Sequence, residues 1–149
     1  MGVKEDVQQK VLTMLTEGMG LHVNVAKGGM LRIQFNDSST AVFIEVDTWG
    51  KDNQLVAVSA TSPLLFKVPG TPELFKWVAT EGAVKYFGHV TAEEEDGGTY
   101  FLKFRTTFRG EYLDEEELET LVYATHVVAD EWDDELQKQF GGQRWSDPS

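Results

Sequence analysis

The chain contains no cysteine, few prolines, few cations and no long apolar run. With no cysteine among 149 residues, it has neither disulfides nor thiolate zinc sites, and we expect a cytoplasmic rather than a secreted protein. No segment is long and apolar enough to cross a bilayer, so we expect no membrane insertion. The first residues, Met1 to Asp6, lack a basic-then-apolar run, so the sequence predicts no signal peptide.

The shortage of cations leaves the chain strongly acidic. Lys and Arg number 13 against 25 Asp and Glu, which gives a net charge of −12. Because binding to nucleic acid depends on neutralising phosphates with Lys and Arg, we expect no nucleic-acid partner. Two explanations of the acidity remain open. It keeps the protein soluble, or it attracts a partner of positive charge.

What the chain does have is enough apolar surface for a core. Hydrophobic residues make up 41% of it and four are tryptophans, which is typical of a folded globular protein. The length favours a single domain. We predict one α+β domain over residues 1–142 and a frayed, disordered tail over residues 143–149.

Three helices are predicted from apolar spacing and capping residues. The first runs from Glu5 to Glu17, and the second begins at Thr71 with proline at its first position and ends near Gly82. The third is long. Asp114 caps it with Glu117 in a capping box, and Gly141 ends it. Its mostly apolar stripe consists of Leu118, Leu121, Val122, Thr125, Ala129, Trp132, Leu136 and Phe140.

Alternating apolar residues predict the strands between these helices. Three-residue glycine loops, from Lys27 to Gly29 and from Asp96 to Gly98, place the apolar residues of both strands of each hairpin on one face. A further strand from Leu55 to Ala60 is predicted, with Pro63 and Pro69 breaking up the chain after it. The predicted order is α-β-β-β-β-α-β-β-α. The fold class is α+β, an antiparallel sheet with helices packed on it.

The sequence carries no recognisable catalytic or cofactor motif. Glycine-rich phosphate loops, the HExxH zinc motif and the GxSxG nucleophile motif are all missing, so we predict no enzyme and no cofactor. His22, His89 and His126 are far apart, which favours isolated histidines over a metal site. The acidic runs favour solvated faces, although Asp130 and Asp134, one helical turn apart, could share a cation.

The last hairpin presents the first candidate for partner binding. Phe101, Lys103 and Arg105 face away from the core in a chain that is short of cations. One interpretation is a cross-strand ladder in which Glu93 lies near Phe101 and Lys103. The other is a partly apolar, partly charged sheet surface that accepts an extended peptide.

The third helix presents the second candidate. Tyr123 and Val127 lie four residues apart, away from the main apolar stripe. They either pack against another helix of the same chain or form a patch for a partner.

Together these residues resemble a known family. The segments Asp114 to Leu118 (DEEEL) and Leu136 to Gly142 (LQKQFGG), with the strand Tyr100 to Arg105 (YFLKFR) before them, are similar to the type III secretion chaperone-like superfamily and its YbjN-like branch. The resemblance extends from about Val7 to Gly142. It implies a non-enzymatic, acidic, cytoplasmic protein, a possible homodimer, that holds a peptide or unfolded segment of a partner protein, or client, in extended form.

The sequence leaves one other function open. A small-molecule-binding domain or enzyme would have its pocket between the sheet and the C-terminal helix, where Trp132, Tyr100 and Phe104 could line it. The competing interpretation of the same residues is an ordinary hydrophobic core.

Overall fold

The computed structural model describes residues 2–36 and 38–148. In this part of the chain the helices are α1 (Val3–Thr13), α2 (Pro72–Ala79) and α3 (Glu115–Phe140). The strands are β1 (Val23–Val25), β2 (Leu31–Gln34), β3 (Ala41–Trp49), β4 (Leu55–Pro69), β5 (Gly88–Glu94) and β6 (Thr99–Arg109). A π-helical turn (Met14–Gly18) extends α1, and a 3₁₀ turn (Lys51–Asn53) precedes β4. The predicted element order is confirmed.

All six strands form one antiparallel sheet in the order β1-β2-β3-β4-β6-β5. The two glycine loops set the predicted registers, because Val25 pairs with Leu31 in the first hairpin and Val90 pairs with Phe104 in the second. The predicted α+β class, with helices packed on an antiparallel sheet, is therefore confirmed.

The helices cover a single face of the sheet, where two groups of buried side chains lie. The first joins α1, strands β2 to β4 and the N-terminal half of α3; the second joins α2, strands β4 to β6 and the C-terminal half of α3. Because α3 spans both groups, it binds the whole sheet together. No helix among residues 2–36 and 38–148 combines the length and apolar character needed to cross a bilayer.

Both ends of α3 follow the prediction. The Asp114 carboxylate accepts a hydrogen bond from the Glu117 N–H at 2.8 Å, and the Glu117 carboxylate accepts one from the Asp114 N–H at 3.3 Å. Gly141 ends the helix with a φ of 83°, in the region where glycine avoids the strain of a side chain.

The fourth strand is longer than predicted. Instead of ending at Ala60, β4 continues through Pro63 to Pro69 with two register shifts against β6. The prolines do not stop it, because pairing with β3 ends at Thr61 and no other strand of the described residues pairs with β4 on that side beyond this point. The extension carries Phe66 past the end of β3.

The C-terminal segment also differs from the expectation of a frayed tail. Residues 143–148 fold back across the sheet, and Gln143 forms a β-bridge with Phe66. Arg144 pairs with both Asp134 and Asp147. The bridge joins residues distant in sequence, so local composition gave no sign of it.

Candidate functional site

A cleft lies on the face of the sheet opposite the helices. Val42 and Ile44 of β3 point into the core, so Phe43 between them points outward, beside Thr61 of β4 and Arg105 of β6. We call this feature the sheet cleft, and its volume is about 310 Å³. Its lining residues are Met30, Phe43, Glu45, Thr61, Pro63, Phe66, Thr91, Phe101, Lys103, Arg105 and Trp145.

A series of aromatic rings runs along the sheet cleft. Phe66 stacks on Phe101 with ring centroids 4.4 Å apart and planes 13° from parallel. Trp145 lies 6.2 Å from Phe66 and meets Phe43 edge to face at 5.5 Å. Each of these four rings remains partly exposed. Partly exposed aromatic side chains bury much apolar area at little cost in conformational entropy, which suits them to recognising a ligand.

Cations lie beside these rings. The Lys103 ammonium is 5.3 Å from the centre of the Phe101 ring and forms an ion pair with Glu93 at 2.8 Å. The hydrogen bond from Lys103 lowers the pKa of the Glu93 carboxyl. The cross-strand ladder predicted as one interpretation is thus present, and the same Lys103 also lines the sheet cleft.

Arg105 makes a different set of contacts. Its guanidinium donates a hydrogen bond to the Ser59 hydroxyl at 3.0 Å, and that hydroxyl lies 3.1 Å from the Thr107 hydroxyl. No carboxylate within residues 2–36 and 38–148 forms an ion pair with Arg105. Because guanidinium carries five N–H donors, Arg105 retains donors for a carboxylate or a main-chain carbonyl of a ligand.

The structure places the five predicted binding residues on two separate surfaces. Phe101, Lys103 and Arg105 lie together in the sheet cleft. Tyr123 and Val127 lie on the solvent side of α3, exposed by 38% and 50%. That the five residues bind a partner stays a prediction.

Tyr123 packs within the chain, but not against another helix. Its ring lies 5.5 Å from the ring of Phe35, which follows β2 and stacks on His126 at 4.2 Å. These contacts anchor one edge of the helical surface and leave Val127 open to solvent.

Three aromatic residues of the sheet cleft, Phe43, Phe66 and Trp145, are absent from the sequence-based set. Phe43 could have been found, because it alternates with the buried Val42 and Ile44 and so must face outward. Phe66 and Trp145 gave no comparable signal, because they lie in stretches predicted to be broken by proline or frayed.

The space between the sheet and α3, the alternative ligand pocket, is filled by side chains. Phe104 is only 1% exposed and meets Trp132 edge to face at 5.9 Å, and Trp132 meets Trp77 at 5.1 Å. Tyr100 packs on Phe75 of α2. The core interpretation of these residues therefore holds.

The two carboxylates of α3 that could have shared a cation have partners within the protein. Asp130 accepts hydrogen bonds from Ser38 at 3.0 Å and Ser39 at 2.9 Å, whereas Asp134 pairs with Arg144. This arrangement does not bring Asp130 and Asp134 onto a shared cation. In the described part of the chain no group of His, Cys, Asp and Glu is arranged to hold a metal ion.

The protein is thus an antiparallel sheet with helices packed on one face and an aromatic cleft on the other, the arrangement with which known proteins can be compared. Over residues 5–148 the chain matches the family model TY-Chap1, described as "T3SS (YopN, CesT) and YbjN peptide-binding chaperone 1", and it belongs to that family. The predicted resemblance to type III secretion chaperones and YbjN is confirmed. No curated protein matches the chain in sequence.

Solved structures show the same fold. YbjN from E. coli, described as a putative transcription regulator, shares 13% identity at a TM-score of 0.60, covering 89% of this chain and 93% of that one. The ExsC–ExsE complex contains a chain with 16% identity and a TM-score of 0.57, covering 90% and 96%. The Yersinia pestis type III secretion chaperone SycH, in complex with a fragment of YscM2, shares 10% identity at a TM-score of 0.56, covering 84% and 98%.

Proposed function

We propose that this chain is a non-enzymatic, chaperone-like or adaptor protein that holds an extended segment of a client protein in the sheet cleft. The observation that carries the proposal is the series of aromatic rings beside Lys103 and Arg105, on a face that no helix of the described chain covers. Membership of a peptide-binding chaperone family supports it. A chain without thiols is compatible with the cytoplasmic location that we also propose.

An extended peptide suits this site for physical reasons. Main-chain groups of a peptide pair with the free edge of a strand, and every second side chain then points to the same face. In the sheet cleft such side chains would meet the rings of Phe66 and Phe101, while Arg105 donates to peptide oxygens. Because the peptide loses conformational entropy on binding, we expect affinities in the micromolar range, about −8 kcal/mol.

The binding test compares the two surfaces predicted from the sequence. In the double variant Phe101→Ala/Arg105→Ala, a peptide selected from a random library on the wild-type protein should bind at least about tenfold more weakly. The reason is the loss of a stacking platform and a hydrogen-bond donor. Titration of the fluorescently labelled peptide, followed by anisotropy, measures the change.

The matched control is Tyr123→Ala/Val127→Ala on the opposite layer, which should bind the peptide as the wild type does. Weakened binding in this control alone would indicate that the peptide binds on the exposed side of α3. Failure of every library peptide to bind, or to protect any amide of β4 or β6 from hydrogen exchange, would reject the proposed function.

We further propose that two copies associate beside β5, the last strand of the sheet. Val84, Tyr86 and Phe87, in the loop leading into β5, are 73%, 73% and 63% exposed. Apolar side chains next to a strand edge commonly mark an interface between proteins. Light scattering of the wild type should give the mass of two chains and that of Tyr86→Ser/Phe87→Ser the mass of one. A wild-type mass of one chain would contradict the dimer.

A further inference from the structure

The chain's own C-terminal segment lies in the sheet cleft. We propose that residues 143–147 are an internal ligand that the client peptide replaces, and that the client therefore places a large aromatic side chain where Trp145 now lies. The inference rests on the proposed function for the identity of the client. The occupancy of the cleft by the tail is testable without any client.

Main-chain hydrogen bonds seat this segment as a peptide strand would be seated. The Phe66 N–H donates to the Gln143 carbonyl at 2.7 Å, and the Gln143 N–H donates to the Phe66 carbonyl at 2.8 Å. This reciprocal pair is the pattern of an antiparallel ladder, formed on the part of β4 that β3 no longer accompanies. A client strand in the same position would make the same two bonds.

The side chain two residues later enters the aromatic series. Trp145 lies between Phe43 and Phe66, and its indole N–H donates to the Gln34 side-chain oxygen at 3.2 Å. Phe66 in turn stacks on Phe101, so the ring of Trp145 continues the same row. The position therefore selects a flat, amphipathic ring, and an aliphatic or acidic side chain would lose both the ring contacts and the N–H donor.

The other contacts of the segment lie at the surface. Arg144 and Asp134, which form an ion pair, have side chains 30% and 53% exposed. Asp147 accepts hydrogen bonds from Arg144 and from Gln137 at 2.9 Å, and these bonds lower its pKa to about 2. Exposed ion pairs are weak and screened by salt, so the segment is held by few strong contacts.

The two residues that join α3 to this segment suit a segment that enters and leaves the sheet cleft. Gly141 and Gly142 have φ values of 83° and 94°, a backbone region that other residues rarely adopt. A Cβ on Gly142 would lie 2.7 Å from the Phe66 carbonyl oxygen, so a side chain there would push the segment off β4. Because it is tethered by this short junction, the segment competes with a free peptide at a high effective concentration.

The experiment uses the full-length chain and one defined probe, a labelled synthetic peptide with the sequence of residues 141–149. In Trp145→Ala protein the cleft lacks its ring, so the probe should bind at least about tenfold more tightly than to the wild type. A probe with alanine in place of tryptophan should not bind. Trp49→Ala, which removes a tryptophan that is 57% exposed outside the cleft, is the matched control and should behave as the wild type.

A second variant, Arg144→Ala, keeps the tryptophan and loosens the segment, so the probe should bind more tightly to it than to the wild type. This difference in affinity should shrink as the salt concentration rises, because salt weakens the wild-type ion pairs. Equal binding of the probe to the wild type and to Trp145→Ala would overturn the inference. So would binding of the alanine probe to Trp145→Ala as tight as that of the tryptophan probe. So would weaker binding of library peptides to Trp145→Ala, because Trp145 would then be a wall of the site. If the probe binds as expected and no library peptide does, the inference stands and the proposed function fails.

Discussion

Replacing Phe104 with alanine should lower the free energy of unfolding by about 3–5 kcal/mol. Phe104 is 1% exposed and lies in the buried group of side chains beneath the C-terminal half of α3. Its ring meets Trp132 edge to face. The neighbouring β5 approaches so closely that a Cβ on Gly88 would lie 2.5 Å from the Phe104 ring. A cavity there would adjoin three elements, α3, β5 and β6, and would not close without moving them.

Urea unfolding, followed by circular dichroism, measures the change. Because small domains are stable by only about 5–15 kcal/mol, the variant should unfold at a much lower urea concentration. Tyr112→Ala is the control, since Tyr112 is 76% exposed and its main contact is with the Arg109 guanidinium. It should change stability by no more than about 1 kcal/mol. Equal losses in the two variants would show that the ring of Phe104 is not part of a close-packed core.

The effect of Phe104 on binding should follow from stability alone. Lys103 and Arg105 flank it on β6 and point to the opposite face, into the sheet cleft. The same strand thus joins the core to the candidate site. Because side chains alternate between the two faces along β6, the sequence alone distinguishes the core residues of this strand from those that line the sheet cleft.

Alternation also explains how much of the fold was predictable. Ile33 is only 1% exposed, and a shift of one residue in the first hairpin would turn it to the solvent face. The need to bury this face therefore fixes the pairing of Ile33 with Val23. The caps of α3 were predictable for a similar reason, since Asp114, Glu117 and Gly141 satisfy backbone groups within a few residues of themselves.

The sheet cleft was only partly predictable, because Phe66 and Trp145 do not follow the alternation of a regular strand. Two register shifts fall between Pro63 and Val68, and both Leu64 and Leu65 are fully buried, so the alternation that would reveal Phe66 is lost. Trp145 reaches the cleft through a bridge between Gln143 and Phe66, residues far apart in the chain. Such pairing depends on the completed fold and leaves no periodic mark in the sequence.

The second large effect is an unusual response to pH, which we expect from Asp133 on α3. This side chain is 0% exposed; one carboxylate oxygen accepts a hydrogen bond from Ser39, and the other has no partner among the described residues. Burial, helped by the negative charges of Asp134 and Asp130 and opposed by the Ser39 hydrogen bond, raises the pKa of Asp133 from 3.8 to about 6.

The sign of the effect follows from the raised pKa. The folded state holds a proton on Asp133 at pH values where the unfolded state has released it. The stabilisation from that proton is complete below pH 3.8 and is lost as pH rises through about 6. A shift of about 2 units corresponds to about 3 kcal/mol, so the ionised Asp133 lowers stability by about that amount at pH 7.5.

His126, in the same region, acts in the opposite direction. Its ring stacks on Phe35, and its Nδ1 lies 3.4 Å from the Ser38 hydroxyl. Burial lowers the pKa of His126 from 6.5, so the folded state favours the neutral ring. Its contribution to stability is present at neutral pH and is lost as pH falls through the lowered pKa. The wild-type protein should therefore show partial cancellation between the two groups.

The Asp133→Asn variant separates these effects. At pH 7.5 its free energy of unfolding should exceed that of the wild type by about 2–3 kcal/mol, because a neutral amide replaces a buried charge. The difference should shrink as pH is lowered through about 6 and disappear near pH 4, since Asp133 is then protonated in the wild type. Titrating groups that do not interact with Asp133 contribute equally to both proteins and cancel in the difference.

Urea unfolding at a series of pH values measures this difference, with Glu131→Gln as the control on an exposed position of the same helix. That control removes one negative charge without removing a buried one, so its stability should stay within about 0.5 kcal/mol of the wild type. A gain in Asp133→Asn that is the same at pH 7.5 and pH 4.5 would mean that the amide improves packing or hydrogen bonding. No gain at pH 7.5 would mean that the hydrogen bond from the Ser39 hydroxyl already stabilises the buried carboxylate. Either result would contradict a proton on Asp133 as the cause, because only a titrating group makes the difference between two proteins depend on pH.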